Sequence, residues 1–241
     1  MTDAAAAVRA LVDARRCPAA PVVVGIAGAV AAGKTVLAEA VRDGLDGRVD
    51  VVATDGFLFP NSVLHARGLV ARKGFPESYD VAALREFLGA ARDGRLPRRV
   101  PCYSHLIYDV DGDREVPAVD VLIVEGVNIL AAAPDLLDVG VYVDVDEALL
   151  ATWFRARLHD LWVAGRDDRT SFYSSPIFAG LDSAAVSALA DEVWRSVNLV
   201  NLREHIEPSR RHADLVITMG ADHAVLDVTT RDDGGETTQD R

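Results

Sequence analysis

The feature that most constrains this chain is GAVAAGKT at residues 28–35, set directly behind the apolar run VVVGIA at 22–27. The eight residues fit the pattern G-x-x-x-x-G-K-[ST]. Gly28 and Gly33 let the backbone wrap, so that N–H groups along Ala29, Val30, Ala31, Ala32 and Gly33 converge on phosphate oxygens. Lys34 then supplies a mobile charge to the β- and γ-phosphates, and the Thr35 hydroxyl is a ligand for Mg²⁺. Such a loop needs a buried strand before it and an amphipathic helix after it, and both patterns are present. A dinucleotide-binding alternative fails, because Gly25, Gly28 and Gly33 lack G-x-G-x-x-G spacing.

Further strand-like runs follow at VDVVAT (49–54), VDVLIV (119–124), VGVYVDV (139–145) and ADLVITM (213–219). They are short, continuous and rich in Val and Ile, as strands buried on both faces of a parallel sheet are. Helical patterns lie between them. Residues 34–45 align Leu37, Ala40, Val41 and Leu45, and residues 81–92 align Leu84, Phe87, Leu88 and Ala91 behind the N-cap Asp80. Asp146 caps 147–162, with the stripe Leu150, Trp153, Phe154, Leu158 and Leu161, and Asp182 caps 183–200. A first helix over 3–16 is closed by Pro18 and Pro21.

This alternation predicts an α/β fold, a mostly parallel twisted sheet with helices on both faces. It forms a single domain over 1–241, with an N-terminal helical segment at 1–20 and a polar, disordered tail at 229–241. Residues 55–79 and 100–117 are long, aromatic and punctuated by Gly and Pro, which predicts substrate loops or a lid.

The formal net charge of −12 argues against a nucleic-acid partner, which needs a basic face, but not against a small anion. No apolar run is long enough to cross a bilayer, and the N-terminus lacks signal-peptide order. Two cysteines, Cys17 and Cys102, imply no disulfide framework, so cytoplasm is the default location. Of the 25 basic residues only Lys34 and Lys73 are lysines, which invites a specific reason for each.

A GTPase would need a base-reading N-K-x-D segment, and no lysine follows Lys73. Asp55, in TDGF, closes the second strand where it can take the proton of an acceptor hydroxyl; an ordinary Asp-Gly turn is the alternative. Glu125 follows VLIV and fits an acid that holds Mg²⁺ or its water, against a plain strand-end cap. Arg157 lies one turn from Trp153 and Phe154, where it can stabilise a transferring phosphoryl group or merely snorkel at the surface. His105, with Tyr103 and Tyr108 in YSHLIYD, suits a hydroxylated, carboxylated small molecule; a structural histidine is the alternative.

Seven stretches together resemble the prokaryotic type I pantothenate kinases. They are TDGFLFPNSVL (54–64), RKGFPESYD (72–80), YSHLIYDV (103–110), VLIVEGVNIL (121–130), ATWFRAR (151–157), WRSVNLVNL (194–202) and ADHAV (221–225). These kinases belong to the P-loop kinase group that includes uridine kinase and phosphoribulokinase. The resemblance covers the chain from about Val22 to about Val225 and implies ATP-dependent phosphorylation of the primary hydroxyl of pantothenate, towards coenzyme A. It implies that Lys34 and Thr35 serve the phosphates and Mg²⁺, that Asp55 is the base, Glu125 a metal-side acid and Arg157 the phosphoryl-stabilising cation. It further implies that Tyr103, His105, Tyr108 and Asn198 line the acceptor pocket and that His223 lies near the adenine. Members of the family are homodimers inhibited by coenzyme A at the ATP site.

Three departures stand out. The loop starts at residue 28, whereas relatives carry a longer region before it. Phe154 replaces a tyrosine that donates to the substrate, which leaves room for a sibling kinase acting on a nucleoside, a sugar or a pantothenate analogue. Glu39 stands where relatives present an arginine to coenzyme A, so weakened inhibition by coenzyme A is expected.

Overall fold

The computed structural model describes residues 2–17 and 20–231. Helix α1 (Thr2–Ala14) leads into β1 (Val22–Gly28) and α2 (Lys34–Asp43), followed by β2 (Val49–Ala53), α3 (Asn61–Ala66) and α4 (Val81–Arg92). A hairpin of β3 (Arg98–Ser104) and β4 (Asp109–Val116) precedes β5 (Val121–Glu125), α5 (Ile129–Ala132), β6 (Val139–Val145) and the long α6 (Glu147–Gly165). The described chain ends with α7 (Ser183–Val193), β7 (Leu215–Met219) and β8 (Val225–Thr230).

The sheet order is β2-β5-β1-β6-β7-β8, parallel except for β8. Every residue of β1 and β5 is buried, which is why those runs carry no polar alternation. The main core spans both faces of this sheet and includes Val8 and Val12 of α1, Leu37 and Val41 of α2, and Leu84 and Leu88 of α4. Each such fully buried aliphatic side chain contributes about 1.5–3 kcal/mol. Asp80, Asp146 and Asp182 each accept a backbone N–H from the first turn of α4, α6 and α7, as expected of N-caps. A second, smaller cluster of Trp162, Tyr173, Phe178 and Val186 packs α6 against α7.

The structure corrects several expectations. Residues 100–117 are not an irregular loop: most of them lie in the two-stranded hairpin, whose side chains are largely half-buried or exposed, so no apolar run announces it. Helix α7 stops at Val193, and the segment to residue 212 continues through π-turns at 194–198 and 202–206. Helix α6 runs three residues past the expected end at 162, burying Gly165 against Ser171. Residues 229 and 230 are not tail but the end of β8, paired with Val216 and Leu215; residues 232–241 of the expected tail lie outside the described residues.

Candidate active site

In a parallel sheet the carboxyl ends of the strands share one edge, and the loops there form the natural crevice. Gly28 ends β1 with φ +149°, and a Cβ there would sit 2.6 Å from the Val143 carbonyl oxygen. Gly33 precedes α2 in the left-handed region at φ +86°, and Ala31 shares that region at φ +64°, a strain that a non-glycine residue carries only when the surroundings impose it. The loop thereby turns its backbone sharply between β1 and the start of α2.

Lys34 is buried and donates to the Ala29 carbonyl at 2.7 Å. Burial pushes its ammonium below the usual lysine range, and the carboxylates of Glu125 and Asp55 oppose that shift. Glu125, the buried last residue of β5, is pushed up by the same burial, with Lys34 opposing. Its Oε1 accepts from the Thr35 hydroxyl at 2.9 Å. This pair of hard oxygen donors beside the phosphate loop has the chemistry that suits a small divalent cation completed by phosphate and water. No group of three or more His, Cys, Asp or Glu with metal-holding geometry occurs among the described residues.

A cavity of about 390 Å³ opens over this edge. Lys34, Thr35, Asp55, Glu125, Arg157 and Val30 line it together with Tyr103, His105, Tyr108, Phe154 and Asn198. Arg157 is therefore not a plain surface arginine: its Nη2 lies 3.0 Å from His105 Nε2. Burial and the neighbouring guanidinium push His105 below the usual histidine range, which favours a neutral ring that accepts from Arg157. Arg155, two residues earlier, pairs instead with Asp191 of α7. Tyr108, left-handed at φ +55°, closes the hairpin turn and stacks on Phe172 at 4.6 Å. Beyond the polar groups the cavity wall is apolar, with Phe154, Leu158, Leu161, Phe172 and Phe178.

His223 does not line this cavity. It stacks on Trp153 with ring centroids 3.9 Å apart, and its Nδ1 lies 3.9 Å from where a Gly33 Cβ would be, so it stands beside the phosphate loop.

Three neighbours of the site were not among the expected residues. Lys73 is buried, donates to Asn61 Oδ1 and to the Tyr108 carbonyl, both at 2.6 Å, and lies 4.0 Å from the Tyr108 ring centroid. Burial pulls it down to about 8 against the raising effect of Asp109 and Asp55. Its signal was available, as one of only two lysines in the chain. Tyr79 donates to Asp55 Oδ1 at 3.2 Å, and Asn201 lines the cavity while donating to the Gly74 carbonyl at 2.8 Å. Neither carried a signal beyond its place in the segments RKGFPESYD and WRSVNLVNL.

A scan of the chain against family models finds no match. A pantothenate kinase of Rhizobium rhizogenes is 38% identical over 230 residues, covering 88% of this chain and 69% of that protein. A candidate fructose transport system kinase from Silicibacter sp. superposes with a TM-score of 0.65 at 27% identity, over 85% of this chain and 94% of that one. D-glycerate 3-kinase from Cryptococcus neoformans, 13% identical, shares the fold with a TM-score of 0.66 over 95% and 97% of the two chains. With the phosphate loop, the acids and the arginine gathered over one sheet edge, and with this identity over most of its length, the chain belongs to the pantothenate kinase family.

Proposed function

We propose that this protein transfers the γ-phosphoryl group of ATP to the primary hydroxyl of pantothenate, giving 4′-phosphopantothenate and ADP. The observation that carries the reading is the meeting of Lys34, Asp55, Glu125 and Arg157 in one cavity, in a chain 38% identical to a pantothenate kinase. The loop from Gly28 to Thr35 holds the phosphates through backbone N–H groups, with Lys34 as the movable cation, and His223 lies against the adenine. Thr35 and Glu125 would hold Mg²⁺, which would supply positive charge against the phosphates. Asp55 accepts the proton of the acceptor hydroxyl as that oxygen forms its bond to the γ-phosphorus. The bond from phosphorus to the bridging oxygen breaks, and its electron pair leaves with ADP. Arg157, steadied by His105, meets the charge on the transferring group. Tyr103, Tyr108, Phe154 and Asn198 enclose the acceptor.

Initial rates of ATP consumption with pantothenate, pantetheine, uridine and several sugars test this, with the phosphorylated product identified by mass. Pantothenate is expected to give a kcat/KM at least tenfold above any nucleoside or sugar. A preference for one of those acceptors overturns the reading in favour of a sibling kinase, the outcome Phe154 would then explain.

The same reading makes the active form a homodimer and coenzyme A a weak inhibitor. Glu39 is exposed on α2 and would repel an anionic inhibitor there. Competition against ATP is expected only at high micromolar coenzyme A or above, and nanomolar to low-micromolar inhibition in the same assay refutes that part.

Lys73 gives the reaction an alkaline limb. As pH rises through about 8 its ammonium loses the proton, and with it the charge held against the Tyr108 ring and the hairpin turn. kcat/KM for the acceptor is expected to fall with a midpoint near pH 8. In Lys73→Met the rate is expected to be lower and that limb absent. A wild-type profile that stays flat beyond pH 9 rules the effect out.

A further inference from the structure

We infer that Tyr79 is a positioning residue for Asp55, holding one carboxylate oxygen so that the other faces the acceptor hydroxyl. The inference rests on Asp55 being the base, as proposed above.

Asp55 belongs to the short turn Thr54–Phe57 that follows β2, an element too brief to fix a side chain by itself. What fixes it comes from 24 residues further along the chain. The backbone of the turn runs against the segment before α4: Phe59 N–H donates to the Ser78 carbonyl and Asp80 N–H to the Phe57 carbonyl, each at 2.8 Å, with Leu58 and Tyr79 paired antiparallel between them. Asp80 is in turn locked as the N-cap of α4 through the Ala83 N–H at 2.9 Å. Tyr79 is thus held by main chain on both sides, and its ring is buried at 4% exposure. Its hydroxyl reaches Asp55 Oδ1 at 3.2 Å, and among the described residues it is the one hydrogen-bond donor to that carboxylate.

The chemistry gives the contact a direction. Burial, with Asp55 next in weight, pushes the phenol well above its ordinary range, so Tyr79 stays protonated and remains the donor at every working pH. A carboxylate rotates about a broad, weakly restrained χ2. Pinning Oδ1 restrains that rotation and leaves Oδ2 for the acceptor, in the cavity that Asp55 and Tyr79 line with Arg157, His105 and Lys34. A buried tyrosine with a merely structural role would also use its hydroxyl on some partner, but its loss would not act through Asp55 in particular.

The test is a double-mutant cycle of Tyr79→Phe and Asp55→Asn. Phenylalanine keeps the ring and removes only the donor. Turnover is counted per site that binds a non-hydrolysable ATP analogue, so a loss of folded protein cannot imitate the effect. Tyr79→Phe alone is expected to lower kcat by about ten- to a hundredfold, the range for a hydrogen bond to a charged group, with KM for ATP within about twofold of wild type. In the Asp55→Asn background the same change is expected to cost less than about twofold, because the group it steadies is already gone. If the two losses multiply, or if Tyr79→Phe alone costs less than about threefold, Tyr79 does not act through Asp55. If Asp55→Asn by itself leaves kcat within a few-fold of wild type, it is the assignment of the base that fails, a different result.

Discussion

Lys34→Ala is expected to lower kcat by about a hundred- to a thousandfold and to raise KM for ATP, while leaving the protein folded. The ammonium is buried, bonded at 2.7 Å to the Ala29 carbonyl inside its own loop, and opposed to Glu125 and Asp55. Removing it leaves the phosphates without their movable cation. It also removes the charge that opposes burial at Glu125, so that carboxyl, already pushed up, moves further up. The fold tolerates the change because no charge is left buried without the means to neutralise itself. Lys34→Arg is expected to fail nearly as badly. A planar guanidinium with its fixed fork of donors does not reproduce the compact, movable point charge that the ammonium bonded to the Ala29 carbonyl supplies. Steady-state kinetics for both nucleotide and acceptor, beside thermal midpoints, check the result. Near-normal turnover in Lys34→Ala would show that the loop's cation is not needed for transfer.

The second large effect is at Asp55. Asp55→Asn keeps the volume of the side chain and can still accept the Tyr79 hydroxyl, but it cannot take a proton. The expected fall in kcat is about a hundred- to ten-thousandfold, with KM for ATP and acceptor within a few-fold, because the group works on the moving proton and not on ground-state binding. The comparison with Lys34→Ala is informative, since that change touches nucleotide binding as well as turnover. A kcat for Asp55→Asn within a few-fold of wild type removes the general base from the mechanism.

The residues differ in how openly the sequence displays them. The phosphate loop is contiguous: eight neighbouring residues carry the glycines, the cation and the hydroxyl, so its geometry follows from local backbone rules. The core strands are equally legible, since a strand covered on both faces is a continuous apolar run, and β1 and β5 are, up to the buried Glu125 that ends β5. The hairpin β3–β4 was hidden for the opposite reason. Fully buried only at Val100 and Val116, it carries charged and small residues along most of its length and reads as loop. The bends after α7 were hidden too, because a π-turn costs little in helical periodicity and is decided by what the helix packs against.

The site itself divides along the same line. Asp55, Glu125 and Arg157 could be singled out because the first two close strand-like runs in the sequence and the third lies beside an apolar stripe, positions that sequence spacing predicts. Their partners were not. Arg157 meets His105 across 52 residues, Asp55 meets Tyr79 across 24, and Lys73 reaches Tyr108 across 35. By itself, then, the sequence determined the class of fold and the donor side of the reaction, because both rest on local periodicity and on the φ values that only glycine adopts easily. Tertiary structure alone decided which oxygen of Asp55 is held, what steadies Arg157 and where Lys73 spends its charge. Those are contacts between side chains brought together by burial, and burial is set by how whole elements pack, not by the order of residues within any one of them.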